Sequence, residues 1–90
     1  MSDPLHRMIN QDVVLDTGTP IIYIGRLLEV TDHLFVLEQA DMHDCREGHL
    51  GKEAYLAEAS RDGRAINRRQ VVVMRSAVIS VSRLADITLD

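Results

Sequence analysis

The residues best equipped for chemistry lie close together near the middle of the 90-residue chain: Asp41, His43, Asp44, Cys45 and His49, in the spacing D-x-H-D-C-x-x-x-H. Thiolate and imidazole are zinc donors, and spacings this short let one loop wrap a metal. Structural zinc sites in small domains are usually completed by a second cysteine pair, and here Cys45 is the sole cysteine. His43, Cys45 and His49 are therefore read first as residues of a polar loop, and no metal or other cofactor is expected. Cys45 beside His43 is also the pairing of a nucleophile with a base. No third group can be named to orient the imidazole and no loop to hold an oxyanion, so a surface thiol is the simpler reading. Phosphate loops, dinucleotide fingerprints and catalytic carboxylate pairs are absent from the sequence, and an enzyme is not expected.

A second group, Arg61, Arg64, Arg68 and Arg69, concentrates positive charge in an acidic chain of net charge -4. Guanidinium groups hold phosphates in bidentate fashion. With Glu53, Glu58 and Asp62 nearby, a solvated or self-paired face is the preferred reading; Arg68 and Arg69 are retained as weak phosphate contacts. The net charge argues against strong non-specific binding to nucleic acid or anionic membranes. No apolar run reaches the roughly 18 residues that span a bilayer. The start, MSDPLHRMINQ, lacks the basic and apolar regions of a secretory signal. A single cysteine forms no internal disulfide, which points to a reducing, cytoplasmic setting.

These residues must be positioned by a small fold. Ninety residues allow one domain, with about two thirds of the unfolded surface buried. Hydrophobic residues are 46% but aromatics only 3%, so the core is aliphatic. Asp3-Pro4 opens a short helix, with Asp3 as cap and Leu5, Met8 and Ile9 on one face. From Val13 to Ala40 run three β-branched stretches: Val13–Leu15, Ile21–Val30 and His33–Ala40. They are separated by the turn DTGTP and a polar turn near Thr31-Asp32, the pattern of an antiparallel meander. Gly25 lets the long middle strand bend. Ile22 and Ile24 share a face, and Leu27 is read as continuing an apolar face beyond the glycine. Asp41–Gly51 reads as loop. Lys52–Arg61 is rich in helix formers and Gly63 is placed to end a helix, with a strand as the competing reading. Gln70–Met74 and Val78–Leu84 are short strands joined by a tight bend at Arg75–Ala77. Five bent strands can curl into a small barrel.

The chain then resembles the Sm-like (LSm) family over about Leu5 to Leu84. The first Sm motif is similar to Val13-Val14-Leu15, Gly18, Tyr23, Gly25-x-Leu27, Val30, Asp32 and Leu37-x-x-Ala40. The second is similar to Val72-Val73-Met74-Arg75-Ser76 followed by Val78-Ile79-x-Val81. The resemblance implies an N-terminal helix on a five-stranded, strongly bent antiparallel barrel. It also implies ring-like homo-oligomers joined through edge strands four and five, and single-stranded RNA bound around a central pore. Within it, residues 41–67 are an insertion. Arg75 and Asp32 are the RNA-contact positions it implies. The place of the family's base-reading asparagine holds Leu34 or Val36, depending on the direction of alignment. The glycine after the motif's arginine is Ser76. The resemblance thus implies an RNA-associated ring with a degenerate site. A protein-assembly scaffold that has lost RNA binding is the alternative.

Overall fold

The computed structural model describes residues 3–47 and 51–88. In chain order it contains β1 (Asp12–Asp16), β2 (Ile21–Val30), β3 (Leu34–Asp44), α1 (Lys52–Asp62), β4 (Arg68–Met74) and β5 (Ser80–Arg83). Single 3-10 turns lie at His6–Met8, Arg75–Ala77 and Leu84–Asp86. The Asp3 side chain accepts a hydrogen bond from the Leu5 N–H at 2.9 Å, but the expected helix capped by Asp3 is a single 3-10 turn that starts from Leu5. Leu5, Met8 and Ile9 dock on the core.

All five strands form one antiparallel sheet in the order β4-β3-β2-β1-β5. The DTGTP turn is closed locally. Gly18 adopts φ +73° and donates its N–H to Asp16 Oδ1 at 2.9 Å, while the Thr17 hydroxyl donates to the Ile21 carbonyl at 2.7 Å. Positive φ is the conformation that glycine adopts without steric cost.

The sheet bends where β2 and β3 fall out of step. Ile24 pairs with Asp41 and Arg26 with Glu38, so β3 carries one extra residue opposite Gly25. Gln39, inside that bulge, has φ +49°. A Cβ on Gly25 would lie 2.9 Å from Ala40 Cβ, 3.1 Å from Ala40 Cα and 3.2 Å from Leu37 Cβ. Glycine is therefore required by the close approach of the two strands. A second irregularity, with the extra residue on β2, follows between Leu27 and Glu29.

Bending gives the sheet two apolar faces. Val13, Leu15, Leu27, Val30, Phe35, Leu37, Ala40 and Val73 form the inner core, joined by Val71 from β4 and by Val78 and Val81 at β5. Both edge strands thus curl over one core without pairing to each other. Val14, Ile22, Ile24 and Leu84 form a second cluster on the other face, covered by Tyr55 and Ala59 of α1. Leu27 therefore does not share a cluster with Ile22 and Ile24; it stands on the opposite face, with Tyr23 packed against the same core.

Three boundaries differ from expectation by more than one residue, one of them the start of β4, at Arg68 rather than Gln70. The segment Asp41–Asp44, read as loop for its polarity, is the far end of β3, paired with Ile21–Ile24 of β2. It is a strand because its backbone pairs with β2, while the polar side chains of Asp41 and His43 find a partner in Tyr55 of the helix. The last strand is shorter than Val78–Leu84: Val78 belongs to the turn, its N–H donating to the Arg75 carbonyl at 3.0 Å. Helix α1 follows its sequence closely, and Gly63 ends it at φ +83° with its N–H on the Ala59 carbonyl at 2.9 Å. Among the described residues no helix is long and apolar enough to cross a membrane.

Candidate functional site

Two loops meet at one end of the sheet. Thr31 shapes the β2–β3 tip: its Oγ1 accepts the His33 and Leu34 N–H groups, each at 3.1 Å. Its carbonyl accepts Arg75 Nη1 at 2.7 Å, and the Arg75 main-chain N–H donates to the His33 carbonyl at 2.9 Å. The Arg75 guanidinium also lies over the Phe35 ring, 5.6 Å from its centroid, a cation–π contact that steadies it further. The bend after β4 thus carries a half-buried cation to the hairpin tip, where Asp32 and His33 are exposed. One Nη donor is committed to Thr31, which leaves other guanidinium N–H groups for a ligand. Phe35, Arg75, Met8 and Val78 line a recess of ≈ 360 Å³ beside it.

The sequence-selected Arg75 and Asp32 are therefore brought together. Leu34 and Val36 pair with Met74 and Val72 on β4 and present only hydrocarbon. Arg68 and Arg69 are exposed but lie at the other end of β4, where Arg68 faces Ala40. At roughly 3.3 Å per strand residue that is about 20 Å from the Arg75 end. Arg61 is exposed at the end of α1. Arg64 belongs to no phosphate cluster. Its Nη1 pairs with Asp12 Oδ2 at 2.7 Å, its Nε donates to the Gln39 carbonyl at 2.5 Å, and its side chain is 13% exposed. Its partners are not Glu53, Glu58 or Asp62 but groups on β1 and in the β3 bulge.

The polar cluster from Asp41 to His49 is split by the strand that carries its first half. Asp41 is 6% exposed and accepts a hydrogen bond from the Tyr55 hydroxyl. The His43 ring stacks on Tyr55, centroids 4.0 Å apart and planes 7° from parallel. The Tyr55 phenol is driven far above its ordinary range, first by burial and then by the Asp41 bond. Asp44 turns away to Arg46, whose guanidinium and N–H hold its carboxyl down at about 2. Cys45 packs against the second cluster, and burial pushes its thiol up, the direction opposite to an activated nucleophile. His49 lies outside the described residues. Among those described, no three His, Cys, Asp or Glu side chains are grouped to hold a metal ion.

Sequence reasoning missed three features of the site. His33 and Thr31 flank the chosen Asp32; the spacing of a threonine three residues before Leu34 is a turn signal that could have placed them. Tyr55 and Asp41 are 14 residues apart, and nothing local to either residue announces the pair. Asn67 is the third. Its side chain accepts the Met42 N–H at 2.9 Å and donates to the Met42 carbonyl at 3.0 Å, so an amide stands in for one rung of the β3–β4 ladder.

No family model matches this sequence, and no curated protein is significantly similar to it. Solved structures do match it. One is the Pyrococcus abyssii Sm protein in complex with a uridine heptamer, which superposes with a TM-score of 0.61 at 23% identity, over 91% of this chain and 99% of that one. The fold is Sm-like.

Proposed function

We propose that this chain, on its Sm-like fold, is an oligomeric RNA-associated module whose hold on single-stranded RNA comes from phosphate attraction at Arg75 rather than from base reading. The observation that carries the proposal is the meeting of Arg75 with the Thr31–His33 tip, which sets a fixed guanidinium at an exposed loop end. A protein of the same fold was solved with a uridine heptamer, which favours this ligand class. Asp32 can accept from a base edge but repels phosphate. Leu34 and Val36 offer neither donor nor acceptor, so base discrimination of ~1–3 kcal/mol per bidentate contact is not available from them. Arg68 and Arg69 supply weaker, sequence-independent attraction at a distance.

Self-association follows from the sheet edges. β4 and β5 each have one free side, and Val72, Met74 and Ile79 on or beside them are large, exposed hydrophobics. Such edges invite pairing with another copy, and head-to-tail pairing closes into a ring when the rotation allows. The second reading, an assembly scaffold without RNA, draws on the apolar Leu34 and Val36 and on the net charge of -4.

The test is a titration of a labelled uridine-rich single strand at two salt concentrations, with native mass measured alongside. Expected are a mass several times that of one chain and an affinity that falls steeply with salt. Arg75→Ala should weaken binding more than Arg68→Ala or Arg69→Ala, and Arg75→Lys should retain part of it. Tight, salt-insensitive binding that survives Arg75→Ala would overturn the phosphate account. Absence of binding at low salt, with the assembly intact, would select the scaffold reading.

A further inference from the structure

The inserted helix and the far end of β3 enclose a pocket well away from Arg75. It has a volume of ≈ 280 Å³ and is lined by Asp41, His43, Tyr55, Glu58, Arg64 and the small residues around Gly63. The charges on its wall are unequal in effect. Arg64 is already paired with Asp12, so its cation is largely neutralised. Asp41 is a buried carboxylate with the Tyr55 hydroxyl as its side-chain partner. A buried anion is costly unless further donors reach it. Glu58 adds a second carboxylate from the exposed side of α1. His43 Nε2 is buried with no hydrogen-bond partner. With its lone pair unused, Nε2 can serve as a third acceptor toward a ligand. Three acceptors and a net negative wall suit a cation that carries N–H donors.

We propose that this pocket binds a small organic cation through a primary ammonium group. The ammonium supplies three N–H donors: one completes Asp41, a second reaches Glu58, and a third is available to the imidazole. The alkyl portion sits against Ala59, Gly63 and Ala65. Both carboxylates belong to segments that the inserted helix creates or covers, so the site is independent of the Arg75 end of the sheet.

The test follows backbone amide shifts of the whole protein by NMR during titration with propylammonium chloride, and in parallel with tetramethylammonium chloride. Expected is saturable movement of the Ala59, Gly63, Arg64 and Ala65 signals and of the His43 Nε2 resonance, with propylammonium alone. Tetramethylammonium carries the same charge without N–H donors and should give no saturable response. Glu58→Gln, at an exposed position, should weaken binding about tenfold, the loss of one charge-assisted hydrogen bond, with an unchanged melting temperature. Asp41→Asn should weaken it at least as much; because Asp41 is buried, that variant is interpreted only if its amide spectrum remains dispersed, and Glu58→Gln decides otherwise. Equal responses to both cations, shifts scattered over the acidic surface, no response at tens of millimolar (a free energy too small for a built site), or unaltered affinity in Glu58→Gln would each overturn the proposal.

Discussion

Replacing Gly25 by alanine is the most direct probe of the bent sheet. The added Cβ would sit 2.9 Å from Ala40 Cβ and 3.1 Å from Ala40 Cα. Carbon atoms prefer separations of roughly 3.5–4.0 Å, so the strands must part by more than half an ångström. The atoms in the way are not free to yield: Ala40 and Leu37 are both fully buried, and Leu37 Cβ lies only 3.2 Å away. Overpacking of this kind costs about 1–3 kcal/mol. Alanine's lower backbone entropy in the unfolded chain returns about 0.4–1 kcal/mol of that. A net loss of ~1–2 kcal/mol remains, which for a domain of this size lowers the melting temperature by roughly 5–15 °C. Gly25→Val, with two further methyl groups, should lose more. Far-UV circular dichroism during heating gives the readout. Ala40→Gly in the Gly25→Ala background removes the nearest obstructing carbon and should recover part of the loss, the non-additivity expected of residues in contact. A Gly25→Ala protein that melts within about 2 °C of the parent, on the order of ordinary surface substitutions, would refute the close-approach argument.

Tyr55→Phe leaves buried Asp41 without its hydroxyl donor; urea denaturation should show a loss of about 1–3 kcal/mol, and no change would mean that water already serves that carboxylate. Arg64→Met keeps the aliphatic stem but frees Asp12 and the Gln39 carbonyl; a similar denaturation curve should be shifted by about 1–3 kcal/mol, largely insensitive to salt because the guanidinium is shielded. Acid stability tests the Lys52–Asp16 pair, 2.7 Å apart. Lys52, with help from the Gly18 N–H, holds the Asp16 carboxyl below its ordinary value. A depressed folded value gives stability that is full above the unfolded carboxylate's 3.8 and is lost as pH falls through the folded one. Lys52→Met should therefore cost ~0.5–1 kcal/mol at neutral pH, and the difference should close below about pH 4 in melts recorded down the pH scale.

What the residues announce in advance is the part of the fold set by local rules. The limits of β2, Ile21–Val30, are bounded by Pro20 and the Thr31-Asp32 turn, and the helix from Lys52 is bounded by Gly63; both are local signals and both are readable. The bend at Gly25 is readable because a lone glycine weakens a β-branched run unless a bend or a close approach of backbone requires it. Asp41–Asp44 is not readable, since its strand character comes from pairing with β2 and from Tyr55, which arrives from the helix that follows. Leu27 keeps the alternation set by Tyr23, because the bulge beside Gly25 adds its residue to β3; what is hidden is the second irregularity, on β2, which turns Val30 to the same face. At the site, Arg75 could be chosen from the second motif, but its anchor on the Thr31 carbonyl depends on how the last turn folds back. Arg64 shows the opposite error. Its neighbours in sequence suggest a basic surface, whereas its partners, Asp12 and Gln39, are brought to it only by the sheet.

The double grip of Arg64 on the Asp12 carboxylate and the Gln39 carbonyl bears on how this protein could be rebuilt. A helix set into a connection between two strands resembles an accessory that can be trimmed to a short hairpin. Here the residue that follows the helix reaches back to fasten the first strand to the bulged third one, at the level where Gln39 holds its positive φ. Tyr55 and Ala59 meanwhile roof the second apolar cluster. A minimal version of the chain would need more than a spliced turn. It would need a new donor for the Gln39 carbonyl, a new neighbour for Asp12, and polar replacements for Ile22 and Ile24, because shortening the connection removes a fastener and a roof together.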